Sequence, residues 1–460
     1  MRRFIYNNIK SIKNQVSFSM PGHKGNTNFD FDFDFDFDLT ETFGTDNLLN
    51  PKDTILKSQQ EISNLYGVKR SYFIPNGATG AITVILLALT KPKDKILIQR
   101  NSHKSVYNSI VLNDLIPEYI SGNYDEKENL ITGIFIDELE EKLKSNRDIK
   151  VVFLTSPNYY GVCLKLKEIS EVVRKYGAFL IVDEAHGAHL YFSRFKDLSA
   201  INYADAIVHS THKTLPSLTQ SAILHINNNS IDENKILNAM NLCLSTSPSY
   251  LLMLSSEFGV NYIHKNQSQL EKIYNEIKKL KKTFDNKNIK FYDYDRNDTT
   301  VGGLDSSKLL FSIDGLSGYD IVKKLFFRYN IRLEMGSLNN ALALCTISNK
   351  VDDFNKLKIA LDELLKENNS VQNIGYKINN DIPQMKFTPR EAYYMDRENV
   401  ELCKANFRIA ATNISVYPPG VPIVVMGEII TSDIIDSLLN YNSFGAEIVG
   451  LKDGKIEVLK

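Results

Sequence analysis

The chain has 460 residues, 43% hydrophobic and 24% charged, the balance of a globular protein with more than one core. Fifty-four basic and 55 acidic side chains leave a net charge of −1, so no basic excess points to nucleic acid or to an anionic membrane surface. Apolar runs such as 81–89 fall well short of a membrane span, and the start shows no signal-peptide pattern. Cys163, Cys243, Cys345 and Cys403 have no metal or redox spacing. These features predict a protein of the reducing cytoplasm with no metal site.

Residues 1–50 read as an N-terminal segment in which positions 29–38 alternate Phe and Asp in five pairs. A period of two can make a strand with one acidic face, but a low-complexity insertion without chemistry is the favoured reading. Residues 51–270 alternate amphipathic stretches with short apolar runs at 94–98, 151–154, 179–182 and 206–208. Runs that are apolar on both faces, separated by helical patterns such as 166–176, predict a large α/β domain with a mostly parallel sheet. Ligands bind beyond the carboxyl ends of such strands. Polar clusters follow each run: Arg100 to His103, Thr155 to Pro157, Asp183 to His186, and His209 to Lys213. A lysine-rich helix at 266–285 leads into a smaller α+β domain, 271–370, with strands near 308–312 and 341–347 and helices near 318–329 and 352–367. A polar linker over 367–381 opens a C-terminal domain, 371–460.

Lys213 carries the chemistry. A lysine that forms an imine must be neutral, which a desolvated or cationic neighbourhood favours. Ser210, Thr211, His212 and Thr214 beside it suit a phosphate monoester lying near the imine carbon. Alone, the His-Lys pair reads more simply as a surface loop. Asp183, at the end of the preceding buried strand and 30 residues upstream, changes that balance. A pyridine nitrogen keeps its proton when a carboxylate faces it, and an electron sink requires that proton. Gly77, Ala78 and Thr79 lie in a turn entering an apolar helix, where free N–H groups and the helix dipole meet a phosphate, although Asn76-Gly77 is also an ordinary turn. His103 could stack on a ring or simply bond within its loop. His186 and His189 beside the acids could suggest a metal, but no third ligand cluster accompanies them.

The run 208–222, containing His209-Ser210-Thr211-His212-Lys213, resembles the cofactor-lysine signature of the bacterial ornithine/lysine/arginine decarboxylases. The resemblance extends to Met20-Pro21-Gly22-His23-Lys24-Gly25, 99–105, 155–161, 182–189, Thr388-Pro389-Arg390-Glu391-Ala392 and Tyr417-Pro418-Pro419-Gly420, nearly the whole chain. It implies a pyridoxal-phosphate-dependent, aspartate-aminotransferase-like (fold type I) large domain with a smaller α+β domain and a C-terminal domain. By resemblance Lys213 forms the Schiff base with pyridoxal 5′-phosphate and Asp183 pairs with the pyridine nitrogen. His103 stacks on one ring face and Ala185 packs on the other. Ser210, His212 and Thr79 hold the phosphate with the amides around Gly77 and Ala78. Lys213 or a nearby histidine, His186 being the candidate, returns a proton to Cα. Two positions depart from the pattern: Ala78 replaces a hydroxyl residue, and Pro216 a small one.

The implied reaction is decarboxylation of a small-molecule basic amino acid, arginine to agmatine first and lysine to cadaverine next, feeding polyamine synthesis in at least a homodimer. Glu41, Asp46, Glu391 or Glu428 are candidates to meet the substrate's distal charge, within the chain or across a dimer interface, and the His23 segment is a candidate to reach a neighbour's site. An aminotransferase of the same fold, with Arg408 pinning the substrate carboxylate, and a cofactor-binding homologue with impaired activity stay open as alternatives.

Overall fold

The computed structural model describes residues 16–18, 45–128, 130–285, 287–367, 382–417, 421–443 and 446–460. The Phe-Asp repeat, His23, Glu41 and the linker at 368–381 lie outside these residues, as do positions 418–420 of the C-terminal turn.

A seven-stranded sheet organises the first half of the chain. In sequence its strands are β1 (Arg70–Ile74), β2 (Lys95–Gln99), β3 (Ile116–Ile120), β4 (Ile149–Thr155), β5 (Phe179–Asp183), β6 (Ala206–His209) and β7 (Ala222–Ile226). In space the order is β1-β7-β6-β5-β4-β2-β3, with β7 antiparallel to both neighbours and all other pairs parallel. The four runs predicted as strands are β2, β4, β5 and β6. Their residues are buried on both faces almost without exception, which is why they read as continuous apolar stretches. β1, β3 and β7 were not predicted. β3 carries Pro117 and Glu118 at the sheet edge, and β7 carries the buried His225, so neither reads as an apolar run.

The order reverses between β3 and β4 on either side of β2, and this switch point puts several strand ends along one edge. Register makes the edge level: Thr155 pairs with Asp183, and Asp183 with Val208. Helix α1 (Gly77–Leu89) begins just beyond β1, and α2 (Lys104–Asn113) just beyond β2. Gly77 has φ +73°, a left-handed turn open to glycine, and from there the chain enters the nearly all-apolar α1.

Beyond the long helices Tyr250–Lys265 and Gln267–Thr283 the chain builds an antiparallel sheet from Ile289–Phe291, Lys308–Ile313, Ala341–Leu344 and Met335–Gly336. Helices Gly318–Tyr329 and Val351–Leu364 accompany it, at the predicted places. The C-terminal residues form two three-stranded sheets and the helix Ser432–Ser443 around an apolar core of their own, including Ala410, Ile414, Leu438 and Val458. Among the described residues no helix is long and apolar enough to cross a membrane.

A polar chain crosses the sheet from β5 towards β1, wholly buried. Glu184 lies 2.7 Å from His209 Nε2, His209 Nδ1 lies 3.0 Å from His225 Nε2, and His225 Nδ1 lies 2.8 Å from Ser71 Oγ. Glu184 also accepts from Ala200 N–H at 2.7 Å and Ser199 Oγ at 3.1 Å. Burial pushes the Glu184 carboxyl up to about 8 and the His209 ring down to about 3, so both favour their neutral forms. A folded-state value above the ordinary 4.5 means stability that is full below pH 4.5 and is lost as pH rises through about 8. Glu184→Gln, which keeps the hydrogen-bonding shape without the charge, is expected to cost less than about 1.5 kcal/mol and to flatten that dependence. Glu184→Leu strands several buried donors and is expected to cost about 3 kcal/mol or more. Urea unfolding midpoints measured from pH 5 to about 9 check both, with the pH range set by these shifts.

Candidate functional site

The switch-point edge opens into a cavity of about 540 Å³. All ten residues singled out from the sequence line it: Gly77, Ala78, Thr79, His103, Asp183, Ala185, His186, Ser210, His212 and Lys213. Each owes its place to a strand end. Asp183 closes β5, and Ala185 and His186 follow in the next turn. Ser210 caps the single helical turn Thr211–Thr214 after β6, which carries His212 and Lys213. His103 caps α2, its Nδ1 accepting from Ser105 N–H at 3.3 Å, which leaves the Nε2 side of the ring for other contacts. At the start of α1, Gly77, Ala78 and Thr79 offer the amides that an α-helix leaves unpaired in its first turn.

Lys213 Nζ lies 3.0 Å from His186 Nε2. Burial lowers the Lys213 amine, with Lys308 adding to the effect and Asp183 and Glu334 opposing it. Burial likewise raises the Asp183 carboxyl against the pull of Lys213 and of the Ala185 N–H, which donates to Oδ1 at 3.0 Å. Desolvation therefore outweighs attraction for both groups, and the amine is biased towards its nucleophilic form. Burial, with Lys213 nearby, takes His103 down to about 4 and His186 well below its ordinary value. Both rings are neutral near pH 7.

Several cavity groups have unfilled hydrogen-bonding capacity. Thr155 Oγ1, Asn101 Oδ1 and His186 Nδ1 are buried without a partner. A flat heteroaromatic phosphate fits this set: amides and hydroxyls at the α1 end, a carboxylate at the β5 end, an amine between, and His103 and Ala185 at the sides. Among the described residues no group of three or more His, Cys, Asp or Glu could hold a metal.

Other residues at the site had no individual role assigned from the sequence, although the loop 155–161 with Tyr159 and Tyr160 belongs to the resemblance. Tyr159 packs its ring 4.6 Å from that of His186 and donates to Glu334 Oε1 at 2.5 Å, joining the large domain to the smaller one. Tyr124, Tyr160, Tyr319 and Tyr441 also line the cavity, and Val416, Val421 and Ile423 of the C-terminal residues close one side. Of the proposed distal-charge acids, none of the three that are described lines it. Asp46 gathers the N–H groups of Asn47, Lys52, Asp53 and Ile55. Glu391 makes a capping box with Thr388. Glu428 is bound by Arg100, at 2.6 Å from Nη1 and 2.8 Å from Nη2. Arg408 bonds Glu398 and the Leu459 carbonyl, away from the cavity.

The sequence pattern described as Orn/Lys/Arg decarboxylase, major domain, matches residues 9–303, and that of the Orn/Lys/Arg decarboxylase C-terminal domain matches 372–454. The arginine decarboxylase of Bacillus subtilis (strain 168) is 30% identical over 464 residues, covering 97% of this chain and 94% of that protein. The arginine decarboxylase of Bacillus anthracis is 29% identical, covering 98% and 94% respectively. Among solved structures, the lysine decarboxylase LdcF of Francisella novicida superposes with a TM-score of 0.81 at 19% identity, covering 99% of this chain and 83% of that chain. The architecture is thus the fold type I arrangement expected from the sequence.

The Arg100–Glu428 pair ties β2 to the C-terminal residues beside the cavity, and both side chains are nearly inaccessible. Arg100→Met leaves a buried carboxylate unpaired and is expected to cost about 3–5 kcal/mol, whereas the double change Arg100→Met/Glu428→Leu recovers most of it. The shift in urea midpoint of the single and double variants decides.

Proposed function

The chain belongs to the Orn/Lys/Arg decarboxylase family, and on that premise we propose that it converts arginine to agmatine with pyridoxal 5′-phosphate held at Lys213, lysine to cadaverine being the next candidate. The observation that carries the reading is a buried amine 3.0 Å from a neutral histidine, with a carboxylate on the neighbouring strand end. The arginine assignment is supported by the two Bacillus relatives and by the tyrosines around the cavity, since a guanidinium stacks on aromatic faces.

In this reading Gly77, Ala78, Thr79, Ser210 and His212 receive the phosphate, Asp183 keeps a proton on the ring nitrogen, and His103 and Ala185 hold the ring between them. When bound, pyridoxal phosphate supplies the sink for the electron pair left when the Cα–carboxylate bond breaks and CO2 departs. Lys213 provides a free amine and, with His186 at hydrogen-bond distance, would take up a proton released by the substrate ammonium and return it to Cα in place of the carboxylate. The tyrosines and the C-terminal valines keep water from that carbon.

The same reading has the chain act in the cytoplasm, feed polyamine synthesis, divide near residues 50, 270 and 370, and work at least as a homodimer.

Incubation of the protein and pyridoxal phosphate with arginine, lysine and ornithine, followed by identification of the amine, is expected to give agmatine as the main product. Lys213→Ala should abolish both the product and the absorbance of the lysine–cofactor imine measured without substrate; a variant that kept them would remove the reading, and keto-acid products would favour an aminotransferase. Ala78→Ser adds a hydroxyl at the phosphate end and is expected to tighten the cofactor by about 0.5–1.5 kcal/mol, roughly two- to tenfold. Fluorescence titration with pyridoxal phosphate measures it.

A further inference from the structure

One buried cation near the site has no place in the chemistry above. Lys308, at the start of the strand Lys308–Ile313 in the smaller domain, has a side chain only 1% exposed. Its Nζ donates to Asp305 Oδ2 at 2.9 Å, to Ser307 Oγ at 3.3 Å and to the backbone carbonyl of His186 at 3.0 Å. His186 is the residue whose ring meets Lys213. Asp305 is fully buried too and is shared with His189, 3.2 Å from Oδ2. The loop carrying Tyr159 and Tyr160 packs against this pair. At Gly161, with φ +94°, an added Cβ would stand 2.8 Å from the Asp305 carbonyl and 2.9 Å from Lys308 Cβ.

Taking two ions out of water costs several kcal/mol each, and apolar side chains of the same volume would hold two domains together at less cost. A purely adhesive role therefore leaves the choice of ions unexplained. The third bond of the ammonium supplies a reason, because it ends on the backbone of an active-site residue 122 positions away in the chain.

We infer, building on the decarboxylase reading, that Lys308 is a positioning residue: a fixed cation from the smaller domain that anchors His186 from behind and keeps the Lys213 nitrogen unprotonated. Its field reaches the site: after burial, and against the stronger upward pulls of Asp183 and Glu334, Lys308 lowers Lys213, and after burial and Lys213 it lowers His186. Burial, which acts upward on Asp305, is outweighed by Lys308 and His189, and its carboxyl is held far below the usual range. The cation is therefore matched by an anion at its far side and turns its remaining donor towards the site. The charged and titratable groups around Lys213 are Asp183 from β5, His186 from the following turn, His103 from α2, Glu334 and Lys308 from the smaller domain. Those around Lys308 are Asp305, His186, His189 through Asp305, and the Cys163 thiol, which burial raises.

The test is a pH titration of the absorbance of the Lys213–pyridoxal phosphate linkage in the full-length chain, with kcat and KM measured alongside. Lys308→Gln is expected to move the midpoint up by about one pH unit, because the cation is lost and the nitrogen is easier to protonate, and to lower kcat roughly tenfold with KM within about twofold, because His186 loses its anchor. Lys308→Arg, which keeps the charge, should hold the midpoint near that of the parent. Lys308→Gln/Asp305→Asn removes both ions, leaves no unpaired charge buried, and should move the midpoint up by a smaller amount; it decides if the single variant does not fold. Unchanged midpoints in folded Lys308→Gln or in the double variant would overturn the inference, as would an equal shift in Lys308→Arg. A parent chain that shows no linkage absorbance at all would instead remove the cofactor reading.

Discussion

Desolvation of Lys213 opposite Asp183 is the constraint around which the site is built. The two residues leave neighbouring parallel strands at nearly the same level, and neither retains enough water to be comfortable as an ion. Burial raises one and lowers the other, so the protein alone already favours a neutral amine. A parallel sheet with a switch point supplies such a place without special loops, because strand ends converge there while the strands stay dry. Thr155, Asp183 and Val208 share one level for the same reason.

Burying one pair forces the neighbourhood to satisfy its own polar groups. Behind Asp183 the Glu184–His209–His225–Ser71 chain runs across the strands, every link 3.0 Å or shorter. At the boundary with the smaller domain, Lys308 and Asp305 neutralise each other and reach the His186 carbonyl. At the boundary with the C-terminal residues, Arg100 spends its guanidinium on Glu428 and on the Ile423 carbonyl. These networks pair most of their members, as the high cost of a half-satisfied buried group requires, although His189 Nδ1 beside Asp305 is left open. The cavity has open groups of its own: Thr155 Oγ1, Asn101 Oδ1 and His186 Nδ1.

What could be read from the sequence follows from locality. Asp183 and Lys213 were legible because each ends a short apolar run, and the amides of Gly77 to Thr79 because a turn precedes an apolar helix. β7 was not legible, since His225 interrupts its pattern and is paid for by His209 and Ser71, contacts no window of sequence contains. Glu428 looked available for a substrate because its partner Arg100 lies 328 positions away. Asp46 looked equally available, yet its carboxylate is consumed by backbone amides of its own loop. Tyr159–Glu334 and Lys308–His186 likewise join distant segments, and an isolated Tyr, Glu or Lys carries no signal of its partner.

The fates of the arginines separate decarboxylation from its nearest alternative. An aminotransferase must retain the substrate carboxylate through the whole cycle, and a guanidinium that grips it does so by stabilising its charge. Among the described residues that line the cavity, Arg100 is the one arginine, and its donors are engaged with Glu428 and Ile423. Arg408 is bound elsewhere. A carboxylate brought in beside the tyrosines, Val416 and Ile423 would meet a surface that offers it no such partner. In the decarboxylase reading proposed above, losing charge as CO2 is then the easier course, because the environment gives the ionic ground state little to hold on to. The fold is shared by both kinds of chemistry, and the commitment of Arg100 to Glu428 is the feature among the described residues that supports the decarboxylase reading over the aminotransferase.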